Sequence, residues 1–138
     1  MLPTNLTTNE VKTANGSELE FARQSVSERK LVFSAVIAAP SAPHTITVQH
    51  QVVGKGVLAR RRSNIRIDRV VNGSISSTPR TVTASFTIDI PVGDLDTLSI
   101  PTDVMAEMIS FVASLGASTT ILYDGTGNGA ASLLNGTL

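Results

Sequence analysis

An α+β fold, with an antiparallel sheet first and helices after it, is what this sequence predicts. Three observations carry the prediction. Apolar and polar residues alternate with period two in three stretches between 45 and 90, the period changes to three and four after 103, and strand-like and helix-like segments do not alternate along the chain. Each period-two stretch has one apolar and one polar side, which suits a sheet covered on one face and wet on the other.

Taken in order, Leu6 to Thr13, Asn15-Gly16 and Glu18 to Arg23 read as a hairpin whose turn tolerates positive φ. A polar stretch, Gln24 to Lys30, leads into LVFSAVIAA (Leu31 to Ala39), a candidate strand closed by Pro40 and Pro43. In the next stretch Ile46, Val48, His50 and Val52 share one side, and Thr45, Thr47, Gln49 and Gln51 the other, until Gly54 and Gly56 break the pattern. From Leu58 to Val71, Arg60, Arg62, Asn64, Arg66 and Asp68 fall on one side, with Ile65 and Ile67 opposite. After a loop, Asn72 to Pro79, comes the most regular strand. Val82, Ala84, Phe86, Ile88 and Ile90 point one way, and Thr81, Thr83, Ser85, Thr87 and Asp89 the other.

Val104, Met105, Met108, Ile109, Phe111, Val112 and Leu115 then recur at helical spacing, so Asp103 to Leu115 is expected to be a helix. Thr102 suits its N-cap, Asp103 its first turn and Gly116 its stop. An apolar run (Thr119 to Tyr123), a glycine-rich turn and a short helical tail (Ala130 to Leu134) complete the chain. A sheet of roughly six strands has more apolar face than one helix of about 20 Å can cover. Two copies joined edge to edge, each helix lying over the partner's strands, would bury both faces and protect an edge. An obligate homodimer is therefore expected.

A length of 138 residues fits one domain, divided into a hairpin (6–23), a main sheet (31–90) and a helical C-terminal part (102–138). Hydrophobic residues at 41% and a mean hydropathy of +0.17 argue for a folded chain. No apolar run reaches the length of a membrane span, and MLPTNLTTNEVK lacks the basic-then-apolar order of a secretory signal. The absence of cysteine excludes disulfides and thiolate metal sites within this sequence. Asn-X-Ser/Thr triplets at Asn5, Asn15, Asn72 and Asn135 read as turn chemistry ahead of glycan acceptors.

The net charge of +0 conceals a segregation. Between Lys55 and Arg80 stand seven cations (Lys55, Arg60, Arg61, Arg62, Arg66, Arg69 and Arg80) against the single acid Asp68. From Thr81 onward there is no Lys or Arg, only Asp89, Asp94, Asp96, Asp103, Glu107 and Asp124, so the acidic charge is expected mainly on the helical side. Arginines at alternate positions of a rigid strand, beside strands offering Thr, Ser and Gln on the same side, form a candidate surface for RNA or DNA. Guanidiniums give bidentate phosphate contacts, while hydroxyls and amides bond phosphate or base edges. The competing reading is an ordinary solvated polar face.

Catalytic chemistry has little support. His44 and His50 are the only histidines, and no nucleophile-elbow, zinc-protease or P-loop pattern occurs. His50 lies on the apolar side of its strand and reads as a hydrogen-bonded core or dimer-interface residue. Asp94 and Asp96 read as a solvated acidic turn preceding the helix, with a weak cation site as the lesser alternative. Asp124-GTGNGA matches a dinucleotide-loop pattern, but such a site needs a βαβ unit and an acid about 20 residues further on, which this sequence does not supply. A turn is the better reading, and a small enzyme using Asp124 the weaker one. No cofactor or metal is expected.

The order of parts resembles the coat proteins of single-stranded RNA bacteriophages, the leviviruses, over most of the chain. ARRRSNIRIDRVV (Ala59 to Val71) is similar to their basic, RNA-facing strand, VTASFTIDIPV (Val82 to Val92) to their last strand, and DVMAEMISFVASLG (Asp103 to Gly116) to the long helix that follows. The resemblance implies a five-stranded sheet with an N-terminal hairpin and two C-terminal helices that interlock in a dimer. It further implies an icosahedral shell enclosing single-stranded genomic RNA, a virion location after assembly in the bacterial cytoplasm, and in some members repression of replicase translation through an RNA hairpin.

Carried over by position, the RNA face comprises Thr45, Thr47, Gln49, Gln51, Arg60, Arg62, Asn64, Arg66, Asp68, Thr81, Thr83, Ser85 and Thr87, with the loop Asn72 to Pro79 near symmetry axes. Better-known members stack a last-strand tyrosine on an RNA base, and the aligned position here is Thr81. With four Phe, one Tyr and no Trp, base stacking is poorly supplied. A cellular nucleic-acid-binding module that uses the same sheet without a shell is the alternative from another class.

Overall fold

The computed structural model of the chain describes residues 2–95, 98–116 and 121–137. Strands β1 (Asn5–Leu6), β2 (Phe21–Ser27), β3 (Lys30–Ala35), β4 (His44–Val53), β5 (Arg60–Asn72) and β6 (Pro79–Ile90) form one sheet in sequence order. Each pairs antiparallel with its neighbour, the arrangement that short hairpin connections allow. Helices α1 (Ser99–Ala113) and α2 (Asn128–Asn135) follow, as the change of period predicts. The residues group into two compact units, Met1–Glu10 with Leu19–Leu95, and Val11–Glu18 with Asp96–Leu138.

In the sheet unit, apolar side chains gather on one face. Phe33, Ile46, Ile67 and Ala84 oppose one another in a row across β3 to β6, with Ala35 and Phe21 paired beside it. Phe21 and Phe33 are fully buried, and Ile46 and Ala35 nearly so. Toward the other end of β4 burial falls away, through Val48 to exposed His50 and Val52. The loops after β4 and β6 meet closely there. A Cβ on Gly93 would lie 2.1 Å from the Gly56 carbonyl oxygen, and the Gly93 N–H donates to the Ala59 carbonyl at 2.9 Å. Only glycine fits that crossing.

Several boundaries differ from the sequence reading. The polar stretch from Gln24 is not a connector; it continues β2 to Ser27, with a register irregularity between Arg23 and Ser25. Beyond Phe21 and Ala22 every residue of β2 is exposed, so no period-two signal marks it. Conversely, β3 stops at Ala35, and Val36 and Ile37 are exposed after it. Their apolarity marked composition, not a strand.

The helix α1 begins at Ser99, so Thr102 is not its N-cap and Asp103 lies beyond its first turn. The Thr102 hydroxyl instead donates to the Leu98 carbonyl at 2.7 Å. Pro101 is tolerated inside the first turn because N–H groups there have no intrahelical partner. Gly116, at φ +81°, provides the expected stop after the cap residue Ser114. The tail helix α2 is longer than its apolar core suggested, running from Asn128 to Asn135. Thr119 and Thr120 of the expected apolar run lie outside the described residues.

At the tip of the N-terminal hairpin, Lys12 and Glu18 pair across a turn in which the Thr13 N–H donates to the Ser17 carbonyl at 2.8 Å. Gly16 takes φ +83°, the conformation that Asn15-Gly16 announced.

Candidate nucleic-acid interface

Residues directly opposed in an antiparallel pair share a face, so the register alone assembles the candidate site. Four rows cross β4, β5 and β6: Thr45–Asp68–Thr83, Thr47–Arg66–Ser85, Gln49–Asn64–Thr87 and Gln51–Arg62–Asp89. Arg60 continues β5 beyond the last row, opposite Val53, and Thr81 continues β6 beyond the first, opposite Val70. All residues singled out from the sequence therefore lie on one continuous face. Lys30 extends the third row onto β3, opposite Gln49.

The register also redistributes the basic segment. Only Arg60, Arg62 and Arg66 project to this polar face. Arg61 opposes Val52 and Ile90, Arg69 opposes His44 and Val82, and Arg80 opposes Val71, all on the apolar side. The acidic half likewise does not stay apart, since Asp89 stands on the polar face between the arginines.

Asp89 was legible as a polar-side residue, but its role was not. Its Oδ1 accepts from Arg60 Nε at 2.9 Å and its Oδ2 from Arg62 Nη2 at 3.0 Å. Asp68 makes the matching contact further along β5: Arg66 Nε lies 2.9 Å from Oδ1 and 2.8 Å from Oδ2. The Thr83 hydroxyl donates to the same Asp68 Oδ1 at 2.5 Å. Between these pairs the Asn64 amide donates to the Thr87 hydroxyl at 2.7 Å and to the Phe86 carbonyl at 3.2 Å.

These contacts hold both carboxyls below the usual carboxylate range. The Thr83 hydrogen bond, then Arg66, lowers Asp68; Arg62, then Arg60, lowers Asp89. At neutral pH the face thus carries three guanidiniums and two carboxylates on β5 and β6, within a field of hydroxyls and amides.

The other candidates resolve differently. His50 is on the apolar side, as its alternation implies, and its Nδ1 lies 2.8 Å from the Ser63 hydroxyl. It is exposed in this chain, which removes the core reading. The Asp124 turn is built from local bonds: Asp124 Oδ1 accepts from the Thr126 N–H at 3.0 Å and its hydroxyl at 2.6 Å. The following glycines serve the packing of α2 on α1. A Cβ on Gly127 would lie 2.4 Å from the Val112 carbonyl oxygen, and one on Gly129 2.6 Å from that of Phe111. Close helix approach, not a phosphate cradle, accounts for the pattern. Asp96 lies outside the described residues, and among those described no cluster of acids and histidines could hold a metal ion.

The loop between β5 and β6 is a compact turn in which the Gly73 N–H donates to the Thr78 carbonyl at 3.0 Å and Ser77 takes φ +51°. Ile75 at its tip is completely exposed.

A six-stranded antiparallel sheet in sequence order followed by two helices is the fold of RNA-phage coat proteins. Among solved structures, the chain is similar to the coat protein of bacteriophage EMS014, with a TM-score of 0.73 at 15% identity over 100% of this chain and 99% of that one. The virus-like particle of bacteriophage ESE020 matches with 0.66 at 13% identity, again over 100% and 99%. An unassembled virus coat protein dimer, described as a bacteriophage RNA-binding dimer, matches with 0.55 at 11% identity over 87% and 84%. No protein-family model and no curated protein matches the chain.

Proposed function

We propose that this chain is the coat protein of a single-stranded RNA phage: a non-enzymatic subunit that dimerises, assembles into a closed icosahedral shell and contacts packaged RNA through the polar face of its sheet. The observation that carries the proposal is the set of four cross-strand rows on β4 to β6. They present arginines, hydroxyls and amides together on a fold shared with virus-like particles.

Surfaces elsewhere support the dimer. Val82 on the apolar side of β6 is 63% exposed, and in α1 Phe111 is 67% exposed. Large side chains so exposed on both elements call for a partner that covers them. Strand β6 is also an edge, twelve residues long, with no lysine along it and its one proline at the first position. An unprotected edge of that length is a pairing surface, and a second copy supplies the matching strand. The exposed Ile75 turn is placed by this reading at contacts around the symmetry axes.

Repression of replicase translation through a hairpin belongs to the same reading. With Thr81 on the last strand in place of an aromatic, recognition would rely on guanidinium, hydroxyl and amide contacts. The subunit would act in the bacterial cytoplasm during assembly and reside in the virion.

Negative-stain microscopy of the purified protein is expected to show closed particles, and their RNA is expected to resist nuclease. Monomers or small dimers alone, under all assembly conditions, would overturn the shell. Bound RNA that nuclease digests freely would favour the cellular module.

A further inference from the structure

The polar face holds its own competitor for phosphate. Arg60 and Arg62 both donate to Asp89, and Arg66 donates to Asp68. The arginine side chains are 50%, 55% and 53% exposed, while Asp89 and Asp68 are only 28% and 23% exposed. Each carboxylate is therefore less exposed to solvent than the guanidiniums that contact it. A guanidinium has five N–H donors, and each of these uses only one or two on its aspartate, so phosphate can bind without breaking the pair. It does so, however, close to a fixed negative charge.

We propose that Asp89, and to a smaller extent Asp68, limit how tightly this face holds RNA, so that each subunit binds weakly and exchangeably. The inference rests on the RNA-binding reading above and deepens it. Two effects of an aspartate compete: it orders its arginines, and it repels phosphate. Ordering exposed arginines is worth little, because surface ion pairs are weak and screened. Repulsion acts on every phosphate that approaches within a Debye length. The repulsion should win. In a shell, where many identical faces meet one RNA, weak individual contacts still sum to firm retention.

The experiment uses the full chain and a short, unstructured, fluorescein-labelled RNA, titrated by anisotropy at several salt concentrations. Asp89→Asn keeps an oxygen acceptor for arginine while removing the charge. It is expected to bind about threefold to tenfold tighter than wild type at low salt, with a salt slope steeper by roughly 0.7 if one further phosphate is engaged. Asp68→Asn frees one arginine instead of two and is expected to show a smaller gain; it decides the matter alone if Asp89→Asn does not fold. Salt-dependent binding by wild type, with folded variants that bind equally or more weakly, would overturn the limiting role and leave the RNA reading intact. No binding by wild type or either variant would overturn both.

Discussion

The two faces of this sheet are made from the same strands and carry opposite kinds of information. On the apolar face, position is fixed by packing: Phe21, Phe33 and Ile46 are buried, and each has a defined neighbour across the strand. On the polar face nothing is fully buried, and geometry is held by hydrogen bonds between side chains such as Asn64 with Thr87 and Asp68 with Thr83. The difference teaches where stability resides and which face is left open to solvent. Alternate residues of one strand, Arg62 and Ile67 of β5 for instance, can be changed with quite separate consequences, because the pleat sends them to opposite sides.

The sharpest way to break the comparison is to remove a ring from the packed side. Phe33→Ala deletes a side chain that is 1% exposed and is expected to cost about 3–5 kcal/mol, a large fraction of a domain's stability. Denaturant unfolding reads this directly, and a loss below roughly 1 kcal/mol would show that the site collapses onto the vacancy. On the wet side, the double change Arg62→Ala with Arg66→Ala is expected to alter stability by no more than roughly 0.5 kcal/mol per site. Its effect should fall on RNA instead, with weaker binding and a salt slope reduced by roughly 0.7 for each phosphate that is no longer neutralised. Unchanged binding and slope would mean that the polar face is not the RNA face.

The comparison also explains what could be read in advance. Face assignments on β4, β5 and β6 followed from period two, because one side of each strand is mainly apolar: Ile46, Val48 and Val52 alternate with polar residues, interrupted only by His50, and Val82, Ala84, Phe86, Ile88 and Ile90 alternate throughout. The start of β2 fell within the expected hairpin arm, Glu18 to Arg23, but its continuation from Gln24 to Ser27 was missed for the complementary reason: after Ala22 every residue of the strand is exposed, so no pattern of polarity marks it.

The arginine–aspartate pairs were out of reach for another reason. Alternation says which side Asp89 is on, but only the β5–β6 register says that it stands opposite Arg62. Turn geometry sets that register, and a shift by two residues would preserve every face while exchanging every partner. The charge segregation read from the sequence was thus correct for the segments and incomplete for the surface, since Arg61 and Arg69 leave for the apolar side and Asp89 joins the polar one.

A smaller effect should come from the rim of the apolar face, where one titratable group is enlisted in packing. His44 meets the Phe21 ring edge-on at 5.1 Å between centroids and stands opposite Arg69. Burial, and then the charge of Arg69, lowers its pKa below the ordinary histidine value of 6.5. A lowered value means that the unfolded chain takes up this proton first as pH falls. Stability from this site is therefore complete above pH 6.5 and declines as pH drops below that value, until the folded chain is protonated as well. Replacing His44 by Gln removes the titration while keeping a polar side chain there. The variant is expected to show a flatter stability profile than wild type just below pH 6.5, measured by denaturant melts across that window, with little difference at neutral pH beyond a constant offset. If wild type and variant lost stability in parallel as the solution was acidified, another group would be responsible, and the apolar face would be insensitive to pH at this rim.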